Sequence, residues 1–359
     1  MKIKRTAAIL AACMGISLLA GCGDDNQKIF EQADKDLAQG SYEYAREGYL
    51  TSVQNKVKLP LSYRGAGIAS LRLGDYQDAI QNFASALACE DTGKALAKDI
   101  LAYKATAEIK AGSYEDAMAD CQTLIKDHDM DADTWFLAGN AALLLDSYEE
   151  AASDFGKSFD ADPTYDRAIR IYGIYLDQDM EADGTTYLEA ALKKETKDSE
   201  SHCDKGRIYY YMEDYDNARQ ELTQAANDGE EEADLLLGMV YLAQNDISNA
   251  RTMFQNYVEA SVGDGDTKDG YSPAKGYNGL ALCDIAEGNY DSALTNISSG
   301  ITVSDTDDLQ SLLFNEVIAY EKKLDFASAL DKAQTYVGMY PDDADGQKEV
   351  AFLKTRTGA

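Results

Sequence analysis

The chain has 359 residues, 64 of them acidic and 33 basic, for a formal charge of −31. So negative a surface repels nucleic acid phosphates and anionic lipid headgroups, since binding to either relies on Lys and Arg, and no nucleic acid partner is expected. The length exceeds one ordinary globular core, which predicts either two domains or a repeat array. There are only 4 prolines, strand-like alternation is scarce, and apolar residues recur at helical spacing, so the predicted class is all-α.

In chain order, residues 1–21 come first and read as a secretion signal. MKIKR is a basic start, and TAAILAACMGISLLA is an apolar stretch too short and wrongly flanked to span a bilayer. It ends in Leu19, Ala20, Gly21 and Cys22, which resembles the lipobox of bacterial lipoproteins. That resemblance implies cleavage ahead of Cys22 and a diacylglycerol on its thiol; an ordinary secretory leader is the alternative. Each buried methylene contributes about 0.8 kcal/mol, so a two- or three-chain lipid anchors a protein without a spanning helix. The expected location is the extracytoplasmic face of the cell membrane, or of an outer membrane, with residues 22–28 as a short tether.

A short motif then recurs. GSYEYA occupies 40–45, GDYQDA 74–79, GSYEDA 112–117, DSYEEA 146–151, EDYDNA 213–218 and GNYDSA 288–293. Aligning these stretches gives units near 26–59, 60–93, 98–131, 132–165, 166–198, 199–232, 231–264, 274–307 and 310–343. Most steps are close to 34 residues, the period of a solenoid with one helix pair per unit. Position 8 is small in most units (Ala33, Gly67, Ala105, Gly139, Gly206, Gly238, Ala281), with Val317 the exception. Position 20 is Ala45, Ala79, Ala117, Ala151, Ala218, Ala250, Ala293 and Ala329. Facing small residues predict two helices seated close together. Ser41, Asp75, Ser113, Ser147, Asp214, Asp246, Asn289 and Asp325 precede the recurrent aromatic and are expected to cap the second helix. The aromatic itself, such as Tyr76 or Tyr148, is expected to pack back over the first helix. The fifth unit lacks the alanine column, with Thr185 near its place, the stretch 261–272 reads as an exposed loop, and residues 344–359 read as a capping helix.

The fourth unit, WFLAGNAALLLDSYEEAASDFGKSFDADP, has Trp135, Gly139, Tyr148, Ala151, Phe155 and Pro163 in columns that resemble the tetratricopeptide repeat (TPR) family. The resemblance runs over residues 26–343 and implies a right-handed superhelical α-solenoid of about nine helix pairs, taken here as 29–343. It also implies that ligands lie on the concave face, at positions 2, 5, 9, 12 and 13 of each first helix. Here those columns include Arg64, Arg72, Phe136, Asn140, Arg167, Arg170, Arg207, Tyr210, Tyr211 and Phe314. Arg and Tyr often carry interface energy, although arginines in so acidic a chain also serve simply to offset neighbouring acids.

Chemistry is poorly supported. No GxSxG, HExxH or phosphate-binding glycine loop occurs, so neither an enzyme nor a cofactor is expected. DHDMDAD at 127–133 and DGDTKDG at 264–270 lack the glycine and glutamate of a calcium loop, and no Cys/His cluster suggests zinc, so no metal is expected. Cys89 and Cys121 lie in neighbouring units and could approach, but Cys121 falls in a core column, the place of a small buried hydrophobe. The sequence therefore predicts a membrane-anchored TPR scaffold that binds proteins or peptides. A cell-envelope assembly factor and a glycan-binding surface lipoprotein are the alternatives.

Overall fold

A computed structural model describes residues 23–193, 202–230, 232–261, 272–304, 306–341 and 343–358. Among them are 19 α-helices and no strand. The signal, the lipid-site cysteine and nearly all of the expected 261–272 loop lie outside the described residues. The chain divides into two compact units, one ending at Ala161 and the other beginning at Asp162.

The first unit pairs α1 (Gly23–Ala38) with α2 (Tyr42–Gln54), α3 (Leu59–Arg72) with α4 (Tyr76–Leu87), α5 (Lys94–Lys110) with α6 (Tyr114–Asp127), and α7 (Ala132–Leu144) with α8 (Tyr148–Ala161). The second pairs α9 (Tyr165–Leu176) with α10 (Glu181–Lys193), α11 (His202–Tyr211) with α12 (Tyr215–Asn227), and α13 (Glu232–Ala243) with α14 (Ile247–Ser261). It continues with α15 (Pro273–Glu287) and α16 (Tyr290–Val303), then α17 (Thr306–Lys322) and α18 (Phe326–Met339), and closes on α19 (Ala344–Thr357). Within each unit, helices pack chiefly on their neighbours in sequence, and first helices also touch one another, α3 with α5 and α13 with α15 for example. This is an all-α helical-repeat solenoid. Helix already occupies the chain from Gly23, within the stretch assigned as a tether.

The small columns form the core. All eight alanines of position 20 are fully buried, and so are the residues of position 8. Position 8 also faces position 24. A Cβ on Gly67 would stand 2.6 Å from the Phe83 ring, one on Gly139 2.7 Å from Phe155, and one on Gly238 2.5 Å from Phe254. In several units the two columns complement each other in volume: glycine meets Phe or Leu222, Ala281 clusters with Ile297 and Val317 with Ala333, while in the first unit Ala33 packs in one cluster with Tyr49. Close packing at native density demands such pairing. The fifth unit packs differently: Gly173, at position 8, faces no neighbouring side chain, and the close approach is made by Gly184 of α10, one residue before Thr185. A Cβ there would lie 3.1 Å from the Tyr172 backbone.

The recurrent turn is a helix stop of the Schellman type. The residue before the expected cap has positive φ, as at Gly40, Gly74, Gly112 and Gly288, and the next N–H reaches back five residues. Ser41 donates to the Asp36 carbonyl at 2.8 Å and Asn289 to that of Asp284 at 2.8 Å. Capping by side chains is narrower than the sequence suggests. Asp214, Asp246 and Asp325 accept from a backbone N–H at 3.2–3.3 Å, whereas Ser41, Asp75, Ser113 and Asn289 make no such bond. At a ψ near 60° instead of the extended value, the longer carboxylate bridges to the third N–H and the serine hydroxyl does not. Asp75 turns instead to Arg46. The aromatics after the caps are half-buried, except Tyr148, which is 51% exposed and donates to Asp146.

Candidate functional site

In the second unit the first helices α11, α13, α15 and α17 enclose a cavity of about 380 Å³. Its wall on α13 is Leu235, Met239, Leu242 and Ala243, which are positions 5, 9, 12 and 13 of the seventh unit. On α15 it is Lys275, Asn278 and Leu282, positions 2, 5 and 9 of the eighth. Tyr210 closes one side from α11, and Asp308 and Ser311 the other from α17. The floor is Phe254 of α14. Its ring is wedged between Gly238 and Gly279, and a Cβ on either would collide with it. Absence of two methyls thus lets a core ring reach the inner face.

A second pocket, about 250 Å³, adjoins on α17 and shares Ser311. Phe314 and Tyr336 form its aromatic side, with ring centroids 5.3 Å apart. Asp343, the cap of α19, accepts from the Tyr336 hydroxyl at 2.6 Å, from Gln310 at 2.9 Å and from the Gly346 N–H at 2.8 Å. The Tyr336 bond, then the backbone bond, holds its carboxyl below the usual range. Asp345 lies beside it, paired with Lys348 at 2.8 Å.

The residues singled out from sequence are dispersed. Tyr210 lines the cavity and Phe314 the second pocket. Tyr211 stacks on Tyr172 at 5.2 Å, and Phe136 packs on Phe155 at 5.7 Å. Arg64 forms a two-point pair with Asp99 of the next repeat and lies over Tyr103. Arg207 pairs with Glu232 of the next repeat at 2.8 Å. Arg167 is 4% exposed and bonded to Asp162 at 3.1 Å, so its guanidinium belongs to the interior, away from any groove surface. Arg72 and Arg170 are exposed, and Asn140 is half-buried. Lys98 with Asp131, Arg251 with Asp284, and Lys323 with Asp291 add further links between successive repeats. Several basic side chains thus join neighbouring repeats. The cavity walls went unread because they are apolar. Yet Leu235, Met239 and Leu242, at i, i+4 and i+7 on a first helix that already buries Ala233, Leu236 and Leu237, are a second apolar stripe legible in EADLLLGMVYLA.

Other candidate chemistry is occupied. Burial pushes the Cys121 and Cys203 thiols up to about 12 and Cys283 to about 11, which keeps them protonated. Cys89 and Cys121 are both free thiols. His202 bonds Glu221 at 2.6 Å. Trp135 is half-buried and carries Lys157 over its ring at 4.1 Å, so that face is covered against a sugar. Asp131, from the acidic stretch 127–133, caps α7 and pairs with Lys98. No group of three His, Cys, Asp or Glu suited to a metal occurs among the described residues, and none of their helices is long and apolar enough to cross a membrane.

Stacked helix pairs with first helices in mutual contact define the class, an all-α repeat protein. The tetratricopeptide repeat family model matches two stretches of the chain, residues 103–166 and 203–265. Among solved structures, residues 41 to the end of MamA from Desulfovibrio magneticus RS-1 are 20% identical, over 48% of this chain and 96% of that one, with a TM-score of 0.41. Yeast Tom70 is 12% identical over 93% of this chain and 96% of its own, at 0.37. A tetratricopeptide repeat protein from Parabacteroides merdae is 14% identical over 92% and 99%, at 0.39. No curated protein matches the chain in sequence.

Proposed function

We propose that this is a TPR scaffold that holds a protein or peptide partner on the inner face of its second unit, without chemistry. The observation that supports it most directly is the apolar cavity built from the inner columns of four consecutive first helices. A preformed surface lowers the ordering cost of binding an extended segment. The lipobox-like LAGC and its basic, apolar leader support attachment through lipid on Cys22, at an extracytoplasmic membrane face. The acidic balance disfavours nucleic acid. The test is a photo-crosslinking residue placed at Ala243, at the cavity wall, or at exposed Gln255 on α14. A partner captured reproducibly from Ala243 and not from Gln255 is the expected result; equal capture from both positions removes the inner face from consideration. Separately, Cys22→Ser should release the protein from the membrane fraction.

A further inference from the structure

The two pockets share Ser311, so one ligand crossing α17 meets both. Their chemistry changes along the way. The far side, on α11, is Tyr210, and the wall between is apolar apart from Lys275 and Asn278 of α15. The α17 edge carries Asp308. Past Ser311 come Phe314 and Tyr336, with Asp343 and Asp345 at their margin. An aromatic face edged by carboxylates attracts a cation twice over, through the ring quadrupole and through Coulomb attraction. Asp343 is fixed by its three bonds and holds the charge in place. Asp345 is paired with Lys348, with both side chains more than three-quarters exposed, a weak pair that an incoming cation can replace. A chain of charge −31 draws basic segments toward it from a distance.

We propose that the inner face of the second unit selects an extended protein segment carrying a bulky aliphatic side chain and, a few residues away, Arg or Lys. The aliphatic group fills the cavity over Phe254, and the cation seats against the half-buried Phe314 ring and the exposed Asp345. This rests on the inner face being the binding surface and adds the chemistry of the partner. An extended chain advances about 3.3 Å per residue, so adjacent pockets are served by side chains roughly two to four residues apart.

The test uses peptides with a Gly/Ser host sequence, acetylated and amidated so that no terminal charge contributes. Each has one Leu and one Arg, in either order, at a spacing of two, three or four residues. Binding to the full chain is read by fluorescence polarisation. At least one spacing should bind, and replacing its Arg by Glu or its Leu by Ser should weaken it by about tenfold or more. Asp345→Lys, at an exposed site that leaves the core alone, and Met239→Gln, on the cavity wall, should each weaken the same peptide comparably. Equal binding of the Arg and Glu peptides overturns the proposal, and so does binding indifferent to both protein variants. If no peptide binds while the Ala243 crosslink still captures a partner, the surface stands and this partner chemistry falls. If both fail, both readings fall.

Discussion

Single glycines decide where this protein is tight. Gly279 and Gly139 each face a ring with no room for a methyl, while Gly156, inside α8, has no atom within 4 Å of where its Cβ would stand. Gly279→Ala should therefore cost about 1–3 kcal/mol by overpacking Phe254. Gly156→Ala should instead stabilise by about 1 kcal/mol, because alanine is the better helix former. Thermal or urea melting of the two variants should show shifts of opposite sign; shifts of the same sign would refute the packing account. Glu108 gives a second test. It is 2% exposed, and burial, aided by Asp120 and opposed by Lys104, pushes its carboxyl up to about 7 from 4.5. The unfolded chain gives up this proton more readily. Its contribution to stability is thus full below the unfolded value and is lost as pH rises through the folded one. Glu108→Gln should flatten the decline in melting temperature between about pH 5 and 7. Asp131 has the opposite sign. Partial burial raises its carboxyl, but the bonds from Lys98 and Thr134 outweigh this and hold it at about 2, so its contribution fades only in acid.

Among the elements, what the sequence made plain was spacing, and what it hid was reach. Paired helices followed from alanines and glycines repeating in register, because only a close helix contact excludes larger side chains from the same column eight times. The caps were harder to foresee, since Ser and Asp look equivalent in sequence but differ in length at the unusual ψ these turns adopt, and Asn289, as long as Asp, turns its amide to Glu287 instead. Asp325→Ala should cost about 1 kcal/mol and Ser41→Ala almost nothing, measured by chemical denaturation. Where a non-glycine fills the positive-φ stop, as at Leu324 with φ of 65° and 73% exposure, the turn carries strain with no packing in return. Leu324→Gly should raise stability by about 1 kcal/mol. The candidate site was legible as a set of columns but not as residues. Arg64 and Arg207 drew attention for their type, and the structure ties both to acids of the next repeat, while the apolar stripe on α13 resembled ordinary core.

For the molecule as a whole, 64 acids against 33 bases leave strong self-repulsion, and several of the few cations sit at repeat junctions. Contact pairs that are partly buried are screened less than distant exposed charges, whose interaction fades beyond about 10 Å at 0.1 M salt. Added salt should accordingly raise the melting temperature, and a scan from about 0.01 to 0.3 M sodium chloride checks it. A fall would mean that the junction pairs outweigh the repulsion. Phe254 has a further consequence. One ring serves as interior for its own repeat and as ground for whatever settles above it, and α13, α14 and α15 all grip it. Occupancy of that hollow should therefore be registered by all three helices together, as slowed amide exchange reaching well past the atoms in contact.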